Sequence, residues 1–270
     1  MTTMTEGENT HAMTDDVLLE CTGLKKSFGN VHAIRDASIH LPRGEVTAII
    51  GDNGAGKSTL VRCLVGVHRP DAGEYTFDGH PAAFDNPEAA RGAGIETVHQ
   101  NLALVDDLTV WQNLFLNREI TRGVGPFALL DRRAMKRRSK ELMSELAINM
   151  PPVSARVDRL SGGQRQAVAL SRAAGWGSKL VVLDEPTAAL GVQETAKVEA
   201  LIADLKNRGI TVLIISHNFE QVLRIADGVW VMRSGTSVAY RRTADTSGQE
   251  LVGLVTGATP SDSKEGNGHE

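Results

Sequence analysis

Short apolar runs alternate with longer stretches of helical pattern along most of the chain. Val46–Ile50 and Thr211–Ile215 are apolar almost throughout, and so are residues 180–183 and 228–232. Continuous apolar runs of this kind are typical of strands that are buried on both faces of a sheet. The stretch over residues 58–65 follows one such run and has helical spacing. This order predicts an α/β fold with a largely parallel core sheet covered by helices.

Two regions depart from this pattern. The residues before Val46 and those around 75–77 favour the strands of an antiparallel β side sheet. From residue 108 to about residue 149 the pattern is helical, with Thr109 able to cap one helix and Asp131 able to cap a second. We therefore expect a helical lobe that is inserted into the α/β core.

The expected organisation is one domain between two polar tails. The tails are rich in Thr, Ser, Gly and acidic residues, and such segments bury too little apolar surface to fold, so we expect them to be disordered. The expected bounds are a tail over 1–16, a core over 17–100 and 156–257, a helical lobe over 101–155, and a tail over 258–270.

The composition is that of an ordinary globular chain of 270 residues, with 41% hydrophobic and 23% charged residues. A net charge of −4 gives no argument for a nucleic-acid partner, whose binding proteins are usually basic. No apolar run approaches the roughly 18 residues that cross a bilayer, so we expect any pore to come from another chain. Cys21 and Cys63 lack metal-site spacing, which favours reduced cysteines. The six basic residues within 132–140 are interpreted as a solvated helix face, with nucleic acid or lipid contact as the alternative.

Residues 51–58 match the pattern G-x-x-x-x-G-K-[ST] of a phosphate-binding loop, between a predicted strand and a predicted helix. The glycines let backbone N–H groups curl around phosphates, and the helix N-terminus adds donors and partial positive charge. Lys57 would contact the β- and γ-phosphates, and the Ser58 hydroxyl would bind Mg²⁺. The residues predicted to bind ATP here are Gly51, Asn53, Gly54, Ala55, Gly56, Lys57, Ser58 and Thr59.

Polar residues also follow three other apolar runs. Asp184 and Glu185 end one of them; Asp184 is predicted to hold the Mg²⁺ shell, and Glu185 to orient and deprotonate the attacking water. Gln100 ends a second run, and we expect it at the metal or the water. His217 follows a third, at the edge where α/β sheets bind ligands, with a bland capping histidine as the alternative.

Residues 160–164 read Leu-Ser-Gly-Gly-Gln and precede a helical stretch. Ser161 and Gln164 have the spacing of a capping box, which would explain both residues structurally. Gly162 and Gly163 weaken the start of a helix, and they make sense where the backbone must approach an anion. A second phosphate-binding helix N-terminus, far from the first in sequence, suggests that two chains pair and complete each other's sites.

Together these segments resemble the ATP-binding cassette family, the nucleotide-binding subunits of ABC transporters. The resemblance covers residues 18–256 and rests on Walker A at 51–59, the Q-loop at Gln100, the signature at 160–164, Walker B at 180–185 and the switch histidine at His217. It implies a head-to-tail dimer in which each of two ATP molecules lies between one chain's Walker A and the other chain's signature. The resemblance also implies that Phe28 stacks on adenine and that the signature residues Ser161, Gly162, Gly163 and Gln164 contact ATP.

One position departs from the family pattern, because Gly191 stands where the family usually has an aspartate. This puts the contact of that loop across the dimer in doubt. Residues 95–102, 185–192 and 215–218 look like the ATPases of bacterial importers for ribose, xylose or fructose. This resemblance implies an ATPase at the cytoplasmic face of the cell membrane that drives monosaccharide import. Its partners would be a second copy, a transmembrane permease dimer and, indirectly, an extracytoplasmic sugar-binding protein.

Two other functions remain as alternatives. One is the ATPase of an ABC exporter or lipid-transport complex. The other is an ABC ATPase without a permease, although those usually have two cassettes, coiled coils and basic surfaces. Within the lobe, Val105, Leu108, Val110 and Trp111 are candidates either for contact with a permease helix or for the lobe's own core.

Overall fold

The computed structural model describes residues 16–98, 102–123, 128–144, 151–188 and 190–262. The strands are β1 (Val17–Phe28), β2 (Val31–Pro42), β3 (Val46–Ile50), β4 (Ala72–Phe77), β5 (His80–Ala82), β6 (Ile95–Val98), β7 (Thr121–Arg122), β8 (Leu129–Leu130), β9 (Leu180–Asp184), β10 (Thr211–Ile215), β11 (Gly228–Arg233) and β12 (Thr236–Arg242). The helices are α1 (Lys57–Leu64), α2 (Pro87–Ala93), α3 (Val110–Leu114), α4 (Arg132–Ser144), α5 (Gly162–Ala174), α6 (Val192–Asn207), α7 (Phe219–Ile225) and α8 (Gly248–Thr256).

Within the described residues, the main sheet has the strand order β5-β4-β1-β2-β12-β11-β3-β10-β9-β6. The five strands from β11 to β6 are parallel, which confirms the predicted parallel core. Ile215 is in register with Ile49 on one side and with Asp184 on the other. The carboxyl ends of β3, β10 and β9 therefore meet at one edge of the sheet, and the loops that follow them lie side by side.

The other end of the sheet is antiparallel. Strand β1 pairs with β2 and with β4, and β4 pairs with β5. The predicted strands before Val46 and around residues 75–77 are thus confirmed as parts of an antiparallel sheet. This part of the sheet lies next to α1 and places Phe28, the last residue of β1, beyond the edge of the pairing with β4.

The core sheet is buried on both faces, as its continuous apolar strands predict. Successive residues of β10 pack into different clusters: Ile214 joins the cluster with α5, α6 and α8, whereas Ile215 joins the cluster with α1 and the antiparallel strands. Both side chains are almost completely inaccessible. Burial of an aliphatic side chain of this size stabilises the fold by about 1.5–3 kcal/mol, so these strands set the position of the loops at their ends.

The predicted helical lobe contains α3, the β7–β8 hairpin and α4. Both predicted caps form: the Gln112 side-chain oxygen accepts from the Thr109 backbone N–H at 2.9 Å, and Asp131 Oδ1 accepts from the Ala134 N–H at 3.0 Å. A separate apolar cluster joins α3 and α4 to Val168 of α5. Helix α5 therefore connects the lobe to the core. The bounds 101–155 for the lobe stay a prediction.

The structure describes residues 258–262 of the predicted C-terminal tail at 258–270. The Thr259 N–H donates to the Gly253 carbonyl at 3.0 Å, and Asp262 pairs with Arg241 of β12. Residues 258–262 are therefore packed, because an ion pair and backbone bonds compensate for their polar composition. None of the helices in the described ranges is long and apolar enough to cross a membrane.

Candidate functional site

The predicted phosphate loop connects β3 to α1 and is shaped by three glycines with positive φ. Gly51, Gly54 and Gly56 have φ values of 151°, 82° and 98°, which side chains rarely adopt. Gly56 is the N-cap of α1, so the loop leads directly into the helix N-terminus. Here the first N–H groups of the helix have no partner within the helix and carry its partial positive charge.

Close packing against backbone atoms also requires glycine at two of these positions. A Cβ built on Gly51 would lie 2.1 Å from the Met232 carbonyl oxygen, and one built on Gly56 would lie 2.5 Å from the Ala33 carbonyl oxygen. No Cβ is tolerated this close to backbone. The loop is thus held against β11 and β2 by contacts that the linear motif does not show.

Lys57 points back into the loop. Its ammonium donates to the carbonyl oxygens of Gly51 at 2.7 Å and Asp52 at 2.9 Å. Burial lowers the pKa of this ammonium, and the nearby carboxylates of Glu185, Asp52 and Asp184 act in the opposite direction. The positive charge is therefore placed at the centre of the loop, beside the two acids that end β9.

Asp184 and Glu185 lie where the sequence predicts, at the carboxyl end of β9. Glu185 adopts a left-handed backbone with φ of 50° and is held there because its N–H donates to the Ile215 carbonyl at 3.0 Å. For a residue with a side chain, this conformation costs on the order of 1–3 kcal/mol. Its Oε1 lies 3.2 Å from Nδ1 of His217. Two predicted catalytic residues that are far apart in sequence are thus in contact.

Glu185 and His217 face the phosphate loop across one cavity of about 360 Å³. Its lining residues are Gly51, Asp52, Asn53, Glu185, His217 and Phe219. The sequence motifs do not single out Asp52 or Phe219. Asp52 lies at a variable position of the loop pattern, and only its place at the cavity distinguishes it. Phe219 opens α7 two residues after His217, and this proximity was the available signal.

Phe28 ends β1 and is 44% exposed, so its ring is open to a ligand. His68 meets it edge-on with ring centroids 5.0 Å apart, and the Lys26 ammonium lies 5.5 Å from the ring centre. The sequence did not indicate this group around Phe28, because His68 follows α1 and the antiparallel strands bring the two segments together.

The signature residues form the predicted capping box at the start of α5. Ser161 Oγ accepts from the Gln164 N–H at 3.3 Å, and the Gln164 side-chain oxygen accepts from the Ser161 N–H at 3.0 Å. Both glycines also lie close to other side chains, since a Cβ on Gly162 would lie 3.2 Å from Leu190 and one on Gly163 would lie 3.0 Å from Glu194. The four residues lie outside the lining of the cavity at Glu185. Gln100, the remaining predicted residue, lies outside the described residues.

A second cavity of about 290 Å³ lies between β6, the lobe and α5. Glu96 pairs there with Arg118; burial raises the pKa of the Glu96 carboxyl, although Arg118 lowers it. Arg172 donates to two backbone carbonyls on the same wall, and burial lowers the pKa of this guanidinium. Together with Arg91, three cations and one buried carboxylate line this cleft. The cleft is therefore positively charged, and sequence analysis did not find it.

Of the four apolar candidates for permease contact, two are excluded by burial. Val110 and Trp111 pack inside the lobe cluster and are its core. Val105 is exposed, and Leu108 is half-buried. The helical spacing was correct, but the pattern cannot tell an internal face from an interface.

Comparison with known proteins identifies the family of this chain. Residues 34–188 match a family described as ABC transporter. A xylose/arabinose import ATP-binding protein of Sulfolobus acidocaldarius is 43% identical over 239 residues, which cover 88% of this chain and 94% of that protein. A fructose import ATP-binding protein of Rhizobium meliloti is 43% identical over 250 residues, covering 91% and 96%. A ribose import ATP-binding protein of Chromobacterium violaceum is 38% identical over 87% of this chain, which spans 46% of that protein.

The solved structures give the same result for the fold. An ATP-binding cassette of an ABC transporter in its ADP conformation superposes with a TM-score of 0.74 at 26% identity, over 89% of this chain and 95% of that one. The parallel sheet, the phosphate loop and the acidic end of β9 define a P-loop ATPase of the cassette type. The chain belongs to the ABC transporter family, and within that family it is a nucleotide-binding ATPase.

Proposed function

We propose that this chain is the ATP-hydrolysing subunit of an importer for a monosaccharide, bound peripherally to a transmembrane permease dimer at the cytoplasmic face of the cell membrane. An extracytoplasmic sugar-binding protein would deliver the sugar to that permease. The names of three relatives, which are import proteins for xylose/arabinose, fructose and ribose, support this substrate class. The observation that carries the ATPase chemistry is the contact of Glu185 with His217 at 3.2 Å across the cavity from the phosphate loop.

The residues divide the work by position. Backbone N–H groups of 51–59 and the Lys57 ammonium bind the phosphates, and Phe28 stacks on the base. Glu185 orients the attacking water and accepts its proton, while His217 fixes the Glu185 carboxylate and contacts the terminal phosphate. The strained backbone of Glu185 aims this carboxylate into the cavity. Gln100 is proposed to act beside the metal and the water.

The donor set at the end of β9 fits Mg²⁺. Asp184 and the Ser58 hydroxyl would hold it, with Gln100 as a further ligand. Among the described residues, no three His, Cys, Asp or Glu side chains cluster into a metal cage. This agrees with Mg²⁺, which proteins bind through one or two carboxylates while water and phosphate oxygens complete the shell. Bound in this way, the ion would neutralise charge on the phosphate oxygens.

The second half of the ATP site is proposed to come from a second copy. Ser161 and Gly162 of the signature are exposed, whereas Gln164 is half-buried and Gly163 is buried. None of the four lines the cavity at Glu185. Beside them, Val192 at the start of α6 is 89% exposed. A capping box next to an exposed aliphatic side chain is a surface that a head-to-tail partner can cover. The partner's Ser161 and its neighbours would then close over the phosphates.

The positively charged cleft between β6, the lobe and α5 is the proposed docking place for the permease. Arg91, Arg118 and Arg172 surround Glu96 there, so the cleft favours a helix end or loop with a carboxylate. The cleft adjoins the segment that leads to Gln100. Binding of a permease helix in this cleft would therefore be coupled to the ATP site through that segment.

The substitution Glu185→Gln tests the proposed chemistry. We expect it to preserve ATP binding and to reduce turnover at least about a hundredfold, because it removes the base and keeps the shape of the side chain. ATP should then hold the variant as a dimer, measured by light scattering on a sizing column. Glu220→Gln, on the exposed face of α7, is the matched control and should turn over normally. Near-normal turnover by Glu185→Gln would exclude Glu185 as the base.

Uptake by whole cells tests the substrate class separately. A strain without this chain should lose uptake of one labelled pentose or hexose, and the wild-type chain but not Glu185→Gln should restore it. Normal monosaccharide uptake in the deletion strain, together with normal ATPase activity of the purified chain, would favour the exporter or lipid-transport alternative.

A further inference from the structure

The β7–β8 hairpin of the lobe exposes two leucines. Leu129 is 74% exposed and Leu130 is 49% exposed. They are in register with Arg122 and Thr121 across the hairpin. Adjacent residues of a strand point to opposite faces, so neither face of this hairpin is covered by the rest of the described chain. Neighbouring exposed aliphatic side chains rimmed by polar groups mark a contact surface more often than isolated ones do.

Asp131 joins the hairpin rigidly to helix α4. Its Oδ2 accepts from the Arg122 guanidinium at 2.9 Å, and its Oδ1 caps α4 through the Ala134 N–H at 3.0 Å. The Asp131 N–H donates in turn to the Ile120 carbonyl at 2.7 Å. The bond from Ala134, followed by the bond from Arg122, lowers the pKa of the Asp131 carboxyl. The carboxylate therefore stays charged, and the hairpin and α4 present one continuous surface.

The exposed face of α4 is basic. Its exposed basic side chains are Arg132, Arg133, Lys136, Arg137, Arg138 and Lys140. Two of them stand in the first turn, which has no acidic residue of its own and is capped by the Asp131 carboxylate. Like charges also recur four residues apart along the face, and such pairs repel. Repulsion between these like charges destabilises the isolated helix. This indicates that the charges serve a contact outside the helix.

These charges have few partners on the protein. Arg138 pairs with Glu141 at 3.2 Å, and Lys136 lies 5.6 Å from the centre of the Trp111 ring. In the ranges that the structure describes, no carboxylate lies within 4.0 Å of Arg132, Arg133 or Arg137. A solvated helix face usually alternates acidic and basic residues, whereas the described exposed side chains of α4 include six basic residues and one acidic residue, Glu141. The opposite face of α4 packs into the lobe core, so the basic face points away from that core.

We propose that this surface, the basic patch formed by Leu129, Leu130 and the exposed cations of α4, docks on a bilayer that contains anionic phospholipid. Arginine and lysine beside aliphatic side chains match the two layers of such a surface, with headgroup phosphates outside and acyl chains beneath. The net charge of the whole chain is −4, so the attraction is local to the patch. Among the described residues of the hairpin and of the exposed face of α4, none is aromatic and able to stack on bases, which favours lipid over single-stranded nucleic acid.

This contact with the bilayer would add to the proposed importer function. The proposal rests on that function in one respect, since it is the importer that places the chain beside a bilayer. The cleft at Glu96 would hold the chain to the permease, and the basic patch would fix the outer side of the lobe against the membrane. The two weak contacts, one with the permease and one with the bilayer, strengthen each other. Once the first has formed, the second surface is held close to its target at a high effective concentration.

Vesicle sedimentation of the full chain tests this proposal. Wild-type protein should bind vesicles of phosphatidylcholine and phosphatidylglycerol, should bind less as salt rises, and should not bind phosphatidylcholine alone. Arg133→Glu with Arg137→Glu should weaken binding at least about tenfold, since each basic residue near an anionic surface contributes separately. Leu129→Ser with Leu130→Ser should weaken it a few-fold, about the loss expected from small aliphatic contacts, and leave the salt dependence unchanged.

A matched control changes the same net charge elsewhere. Arg69→Glu with Lys197→Glu reverses two cations that are exposed outside the lobe, and it should keep vesicle binding. ATP affinity and thermal unfolding of every variant separate this result from misfolding and from failure of the proposed ATPase function. Equal loss in the control, equal binding to phosphatidylcholine alone, or displacement of the vesicles by single-stranded RNA would overturn the proposal.

Discussion

Single residues at the edge of the core sheet hold backbone conformations that most side chains disfavour. Gly51 combines a φ of 151° with a position where a Cβ would lie 2.1 Å from the Met232 carbonyl oxygen. Glu185 keeps a φ of 50° although it has a side chain. The bond between its N–H and the Ile215 carbonyl offsets part of that cost. Strain of this kind is typical of residues whose direction matters to function.

Gly51→Ala should therefore damage the loop more than its added methyl suggests. We expect a loss of more than about 2 kcal/mol in the free energy of unfolding, because the backbone of β11 must move or the loop must open. ATP affinity should fall together with stability, as measured by calorimetry. The control is Gly92→Ala inside α2, where a Cβ has open space; it should be neutral or slightly stabilising. Unchanged melting of Gly51→Ala would contradict the close contact.

Among the elements, the junction of β12 and α8 shows how charge extends the ordered chain. Arg241 of β12 bonds to Glu250 in the first turn of α8 at 2.7 Å, and it also pairs with Asp262 beyond the helix. The bonds from Arg241 lower the pKa values of both the Glu250 and Asp262 carboxyls. A carboxyl whose pKa is lower in the folded state stabilises the fold above its unfolded pKa. That stabilisation is lost as the pH falls through the folded pKa.

Arg241→Ala should accordingly destabilise the chain by about 1 kcal/mol at pH 7, the usual scale for a partly exposed ion-pair network. The difference from wild type should shrink as the pH falls below about 4, the ordinary carboxyl pKa, because the carboxyls then become protonated in both proteins. Urea unfolding at a series of pH values measures this. Lys197→Ala, an exposed cation on α6, should show no such pH dependence. A constant difference down to pH 3 would mean that Arg241 acts through packing alone.

For the whole molecule, the proposed function requires two copies. One chain brings the phosphate loop, Glu185 and His217 to one cavity, and it holds its own Ser161 elsewhere. Gly191 caps α6 without a side chain, and a Cβ there would lie 2.8 Å from a carboxylate oxygen of Glu194. The Glu194 carboxylate thus occupies the space where a side chain at position 191 would begin.

Mixing two inactive variants tests the shared site. Lys57→Ala removes the phosphate-binding ammonium, and Ser161→Glu places a negative charge where the partner's phosphates should lie, so each variant alone should be inactive. Their mixed dimer contains one site with both residues intact. A one-to-one mixture should therefore recover about a quarter of wild-type ATPase activity if pairing is random and the sites are independent. No recovery, with both variants folded, would contradict the head-to-tail arrangement.

The sequence by itself determined those elements whose conformation depends on residues close to them along the chain. The glycine pattern of the phosphate loop, the continuous apolar strands and the caps at Thr109, Asp131 and Ser161 follow from local backbone and hydrogen-bond preferences, and the structure contains them. The predicted roles of the site residues stay predictions, because they are inferred from the order of the motifs along the chain.

Only the tertiary structure decided what lies beside what. It brought His217 to Glu185 and packed Gly163 against Glu194 of α6. It placed Val110 and Trp111 in the lobe core. It also formed the cleft around Glu96 and exposed Leu129 beside the basic face of α4. The physical reason is that the same sequence pattern produces an apolar or charged face whether or not another segment covers that face. Only packing between distant segments determines which faces remain open for a partner.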